Sequence, residues 1–289
     1  MRTVWSRSSA PPRRTASVSR VPIATVNRAN LAYDVAGAGP AIVFLHEGIA
    51  DRTMWEREVA QLARDHRVVN PDLRGYGESD LPKGPAAWHE DVTALMAALD
   101  ISRATLVGAS VGASIALNVA LSQPDAVAGL VLMAPGIGGR RFPAELAAAI
   151  DAIDATAAKG DYAGAAEETL RLWLDGPSRP PGTVGGALRD RLRRINAEIL
   201  RREQSESEGV EVRTLSPSAA ERLGDVRVPT LVIVGSDDAP FIQENARLVH
   251  AAVPGAELVV IENAAHMPNL EHPERVGEAL RGFLEHHRL

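Results

Sequence analysis

From Ile23 onward, short apolar runs rich in β-branched residues alternate with segments of helical periodicity, and this alternation restricts the fold more than any other feature. The runs occupy residues 23–26, 31–35, 41–45, 67–70, 104–107, 127–133, 230–234 and 257–261. Apolar strands separated by helices mark a mostly parallel sheet covered on both faces. The first two runs are divided only by Asn27-Arg28-Ala29-Asn30, a hairpin-sized connection, so the sheet is expected to begin with an antiparallel pair. Helices are expected over 55–63, 90–99, 111–121, 241–252 and 273–283; the last shows Val276, Leu280 and Phe283 at helical spacing behind Pro273.

Between residues 134 and 227 the alternation stops. Ala-rich helical sequence takes over, broken at Gly160, Gly176, Pro180-Pro181 and Gly185-Gly186. One helix there carries Leu188, Leu192, Ile195 and Ile199 on one face. Arg189, Arg193, Arg194, Arg201 and Arg202 lie elsewhere, a basic cluster read as a solvated face partnered by Asp190, Glu198 and Glu203. The expected organisation is an α/β core over residues 22–135 and 226–289, interrupted by a helical cap over 136–225.

Composition narrows the class further. The 289 residues are 45% hydrophobic, enough for one sizeable core, yet the dense apolar runs are of strand length and none approaches a membrane span. With 31 basic and 37 acidic residues the net charge is −6, which argues against nucleic acid as a partner. Cysteine is absent, so disulfide scaffolds, thiol nucleophiles and thiolate metal sites are excluded. The first 20 residues carry five arginines and no acid; subtracting these five charges from −6 leaves −11 on the rest. Residues 1–21 are read as a disordered basic tail. The Arg13-Arg14 pair invites an export reading, but no apolar segment follows it, so a cytoplasmic location is expected.

The chemistry is carried by Gly108-Ala109-Ser110-Val111-Gly112, which follows a strand and opens a helix. Glycines on either side of Ser110 let the backbone pack around a sharp turn that lifts the hydroxyl above the sheet, beside a helix N-terminus. A serine hydroxyl is un-ionised at neutral pH and needs a base, and the base needs a group to orient it. Asp238 directly follows the run 230–234, and His266 follows the run 257–261. Both therefore fall at the carboxyl ends of strands, the edge where open α/β sheets build their sites.

Together these segments resemble the α/β-hydrolase fold over essentially all of residues 22–289. The resemblance rests on five motifs in order: His46-Glu47-Gly48 with Trp55 nine residues on, Asp72-Leu73-Arg74-Gly75-Tyr76-Gly77-Glu78-Ser79, the Ser110 elbow, the Gly235 to Asp238 segment, and Ala265-His266. It implies Ser110 as nucleophile, His266 as general base and then acid, and Asp238 as the carboxylate holding the imidazole, with Asp237 the competing acid. It also implies an oxyanion hole from the Gly48 and Val111 amides, with no metal or organic cofactor required. His46 is expected to brace the oxyanion loop, and residues 72–79 to form a structural turn.

A serine at the elbow argues against haloalkane dehalogenases and epoxide hydrolases of this fold, which use a carboxylate there. Acyl chemistry remains: hydrolysis of a small, largely apolar carboxylic ester, with enol-lactone opening or carbon-carbon hydrolysis on the same triad as alternatives. A non-hydrolytic ligand receptor is the rival from another class. Glu47, Trp173 and Met267 are expected to line the substrate pocket. Glu47 departs from the family's usual His-Gly. Ionised about 6 Å from the oxyanion it would cost roughly 3 kcal/mol at an effective dielectric of 20. Its side chain is therefore expected to turn away and pair with Arg74 or Arg52.

Overall fold

The computed structural model describes residues 21–206 and 211–289. The tail expected over residues 1–21 lies outside them except for Val21. Ten strands occur among the described residues: β1 (Ile23–Val26), β2 (Ala29–Ala36), β3 (Ala41–Leu45), β4 (Arg67–Pro71), β5 (Pro85–Ala86), β6 (Ala104–Ala109), β7 (Val127–Met133), β8 (Glu211–Val212), β9 (Thr230–Gly235) and β10 (Glu257–Ile261). Eight form one sheet in the order β1-β2-β4-β3-β6-β7-β9-β10, and β5 and β8 make a separate two-stranded ribbon. β2 runs antiparallel to both β1 and β4, and every later pairing in the main sheet is parallel. The β1–β2 connection is tighter than expected. Only Asn27 and Arg28 lie between the strands, with φ of 46° and 64°, the left-handed pair a two-residue hairpin turn needs.

The central strands are buried on both faces, which explains why they read as unbroken apolar runs. Val43, Leu45, Leu106, Leu130, Leu132, Val232 and Val234 face one core cluster, while Ile42, Phe44, Val107, Val131, Met133, Leu231 and Ile233 face the other. Helix α1 (Glu56–Leu62), preceded by a 3-10 turn (Arg52–Trp55), packs on the second face with α10 (Pro273–His287). Helices α2 (Trp88–Ala98), α3 (Val111–Ser122) and α8 (Pro240–Ala252) cover the first. Helix α10 runs four residues further than its apolar spacing indicates, because Leu284 also packs inward. Each fully buried large side chain, such as Trp55 or Phe44, contributes about 1.5–3 kcal/mol by burial alone.

Between β7 and β9 lie α4 (Ala144–Ala157), α5 (Tyr162–Leu170) continued by a π-turn (Arg171–Asp175), α6 (Gly186–Glu206), β8 and the short α7 (Ala219–Arg222). Helices α4, α5 and α6 share a small core of Ile153, Ala157, Ala165, Ala166 and Leu200. The α6 arginines divide by role. Arg193 pairs with Asp190 and Arg201 with Glu198 on the surface, whereas Arg202 donates to the Gly77 carbonyl at 2.7 Å and the Ser79 carbonyl at 2.8 Å. Arg191 donates to the Thr53 carbonyl at 2.6 Å. These backbone contacts fasten the inserted helix to the core.

Candidate active site

Ser110 sits at the junction of β6 and α3 with φ 50° and ψ −108°, a strained conformation for a residue with a side chain. Three backbone hydrogen bonds hold it there. Its amide donates to the Met133 carbonyl at 2.9 Å, and its carbonyl accepts from Ser114 and Gly136, each at 3.1 Å. The flanking glycines are needed for space: a Cβ on Gly108 would come within 2.3 Å of the Gly112 carbonyl oxygen, and one on Gly112 within 2.2 Å of that of Leu45. Any larger residue would push the elbow off the sheet.

Asp238 follows β9 and is 2% exposed. Both its carboxylate oxygens lie 3.0 Å from Nδ1 of His266, itself 3% exposed, and Oδ1 also accepts the Ala239 amide at 2.7 Å. Asp237 points elsewhere, its Oδ2 standing 4.0 Å from Nε of Arg179. With Asp238 on Nδ1, that nitrogen carries the proton and Nε2 keeps a free lone pair. Burial by itself would lower the His266 pKa. The charge and hydrogen bond of Asp238, with the charge of Glu47, outweigh it and hold the imidazole above its ordinary value of 6.5.

The loop after β3 supplies the next elements. Nε2 of His46 accepts the Leu73 amide at 2.9 Å, so its Nδ1 donates to the Glu47 carbonyl at 2.8 Å. Burial keeps His46 below its usual pKa, a neutral brace on the loop. A Cβ on Gly48 would lie 3.8 Å from a Val111 methyl and 3.6 Å from the Tyr76 hydroxyl, so the loop runs alongside the start of α3. Val111 is the first residue of that helix. Its amide is therefore one of the helix-start donors without an intrahelical acceptor.

The expected pairing of Glu47 with Arg52 or Arg74 is not found. Arg52 is engaged by Asp34 at 3.1 Å, Glu78 at 2.7 Å and Asp72, and Arg74 is held by Asp91 at 2.6 and 2.8 Å. Both guanidinium groups are consumed in bracing residues 72–79 against the core. Glu47 is 1% exposed, and neither carboxyl oxygen has a hydrogen-bond partner. Desolvation pushes its pKa up to about 7; the charge of His266 works against that rise and the charge of Asp238 adds to it. The carboxyl thus remains in the field of the imidazole and its aspartate.

Trp173, in the π-turn, lies over His266 with ring centroids 4.5 Å apart and an interplanar angle of 40°, and its carbonyl accepts the His266 amide at 3.2 Å. Met267 is fully buried in the core cluster containing Ile42 and Phe44. One residue that sequence patterns did not single out is Arg179. It donates to the carbonyls of Leu174 at 2.7 Å, Asp175 at 2.5 Å and Asn263 at 3.0 Å, and pairs with Glu271 at 2.7 Å. Glu271 in turn accepts the Ala265 amide at 2.8 Å, from the short helix α9 (Pro268–Glu271). Arg179 therefore couples the cap to the loop that carries His266. Its only advance signal is an arginine beside Pro180-Pro181.

This arrangement, a serine elbow at the carboxyl edge of a mostly parallel sheet with the aspartate two strands away and the imidazole it holds three strands away, defines an α/β-hydrolase architecture. Residues 40–273 match the alpha/beta hydrolase fold family model, and the chain belongs to that family. It is 28% identical to a pimeloyl-[acyl-carrier protein] methyl ester esterase of Neisseria meningitidis, the alignment covering 84% of this chain and 93% of that protein. To the 3-oxoadipate enol-lactonase 1 of Acinetobacter baylyi it is 27% identical, over 85% and 89% of the two chains. A thermophilic esterase from Thermogutta terrifontis superposes with a TM-score of 0.75 at 25% identity, covering 94% of this chain and all of the other. Among the described residues no helix is long and apolar enough to cross a membrane.

Proposed function

We propose that the protein is a serine hydrolase that cleaves a small carboxylic ester or lactone through an acyl-enzyme, with Ser110, His266 and Asp238 as its triad. The observation carrying this reading is the Asp238–His266 pair. An imidazole whose Nδ1 is locked by a buried carboxylate leaves Nε2 as the base at the sheet edge that also carries the half-buried Ser110. His266 takes the Ser110 proton as Oγ attacks the acyl carbonyl, and the imidazolium is held by Asp238. The carbonyl oxygen becomes an oxyanion, for which the Val111 and Gly48 amides are the donors. Collapse expels the alcohol, which takes the proton from Nε2. Water then gives a proton back to His266, attacks the ester on Ser110, and releases the acid with the serine restored.

The esterase and enol-lactonase relatives perform chemistry of this kind, and an open and a cyclic ester make the same demands on the three residues. Trp173 and the neighbouring apolar residues favour a modest, largely apolar acyl group. Labelling by a fluorophosphonate, together with turnover of short p-nitrophenyl esters, tests the reading. Both should be lost in Ser110→Ala. Folded protein that neither labels nor turns over would instead be a ligand receptor on this scaffold.

A further inference from the structure

Glu47 is a buried acid beside the triad that this mechanism leaves without a task. It precedes the proposed oxyanion donor Gly48, its carbonyl is pinned by His46, and its carboxyl is buried with both oxygens unpartnered. We propose that Glu47 serves hydrolysis as a neutral acid, and that ionising it shuts the site down by placing a second negative charge beside the developing oxyanion. The inference rests on the serine-hydrolase reading and adds to it a positioning residue that acts through its field.

The surroundings leave few ways to neutralise an ionised Glu47. The groups whose charge reaches it are His266, from the loop after β10, and Asp238, from the loop after β9. His46, on its own loop, is neutral, the Tyr76 hydroxyl near Gly48 is an un-ionised phenol at working pH, and Arg52 and Arg74 are spent on other carboxylates. Burial alone therefore favours the protonated form, consistent with its rise to about 7. Protonated, Glu47 adds no repulsion when Ser110 attacks. Ionised, it stabilises the imidazolium of the resting enzyme, in which His266 cannot act as base, and opposes the oxyanion. Because the two groups titrate in each other's field, the limbs of the pH profile belong to the pair. Substitution of Glu47 separates them.

The test is the pH dependence of kcat/KM on a neutral ester that does not itself titrate, for wild type, Glu47→Gln and Glu47→Asp. Wild type should show a bell, with its alkaline limb falling roughly tenfold per pH unit. Glu47→Gln should lose the alkaline limb, hold its rate through about pH 9, and shift its acid limb downward as the charge acting on His266 is removed. Glu47→Asp should keep a bell. A wild-type rate that does not fall at high pH, or an alkaline limb unchanged in Glu47→Gln, overturns the proposal while Ser110-dependent turnover leaves the hydrolase reading intact. No turnover at any pH overturns both. Should Glu47→Gln fail to fold, the rate of fluorophosphonate labelling of wild type decides, since that step also builds charge on the oxyanion side: a fall above neutral pH supports the role, and a flat rate excludes it.

Discussion

The indole of Trp173 rests on the imidazole of His266, 4.5 Å between centroids, while the backbone of the same tryptophan accepts the His266 amide. A cap residue thus touches the proposed base through both its ring and its carbonyl. Trp173→Ala keeps the carbonyl and removes the ring, freeing the imidazole to tilt. Misplacement of a catalytic group by about 1 Å costs on the order of a hundredfold. The expected result is a kcat/KM loss of about ten- to a hundredfold on p-nitrophenyl esters. Trp173→Phe should recover most of it. Equal activity in all three proteins would remove Trp173 from the site.

The two adjacent aspartates separate cleanly by position. Asp238 holds Nδ1 of His266, whereas Asp237 leans toward Arg179. Asp238→Asn should reduce kcat roughly 10^3- to 10^4-fold, because an amide can stabilise the wrong tautomer and cannot balance an imidazolium. Asp237→Asn should retain activity within a few fold. Reversal of that order in steady-state kinetics would assign the acid to Asp237.

The acid limb of the rate profile reports His266 titrating in the field of Glu47, because the imidazole must be neutral to accept a proton. Its pKa is raised overall, so the neutral fraction falls as pH drops through a value above 6.5. The midpoint of the acid limb of kcat/KM for wild type is therefore expected above 6.5. A midpoint below about 6 would contradict the upward shift of the His266 pKa.

Glu58 offers a stability test away from the chemistry. It is 2% exposed on α1, and burial pushes its pKa up from 4.5 to about 7 against weaker opposing contacts from its own backbone, Arg57 and Asn269. The folded protein thus binds this proton more tightly than the unfolded chain. The associated stability is fully present below about pH 4.5 and is lost as pH rises through about 7. Glu58→Gln, neutral at every pH, should raise Tm at pH 8 by several degrees, a gain of on the order of 3 kcal/mol at most, and change it little at pH 5. Equal Tm shifts at both pH values would refute the buried-proton explanation.

The parts legible in the sequence share a physical character. The central strands are buried on both faces, so Val127 to Met133 had to be apolar throughout, and the Ser110 elbow is local, its requirement for glycine written within five residues. The rule that sites gather at strand ends led to the pair Asp237-Asp238, and the family resemblance pointed to the second as the partner of His266. What was not legible depends on placement across the chain. Arg52 and Arg74 were reasonable partners for Glu47 by proximity in sequence, but the 72–91 region claims both. The β5–β8 ribbon joins residues more than a hundred positions apart with two residues on each side. Arg179 gains its place only because four backbone and side-chain acceptors converge on one guanidinium.

Strands β7 and β9 are hydrogen-bonded neighbours, with Leu130 opposite Thr230, yet the whole helical insertion lies between them in the chain. Near its two ends the Ala220 amide donates to the Gly138 carbonyl at 3.0 Å, so its roots meet, and lengthening what hangs between them adds only a logarithmic entropy term. The segment is also tied into both cores, through Ile199 and Leu223 on one face of the sheet and Leu170, Leu174 and Leu192 on the other. Exchanging it would spare every ladder of the eight-stranded sheet, yet a replacement would have to refill both cores and again hold the His266 loop as Trp173 and Arg179 do.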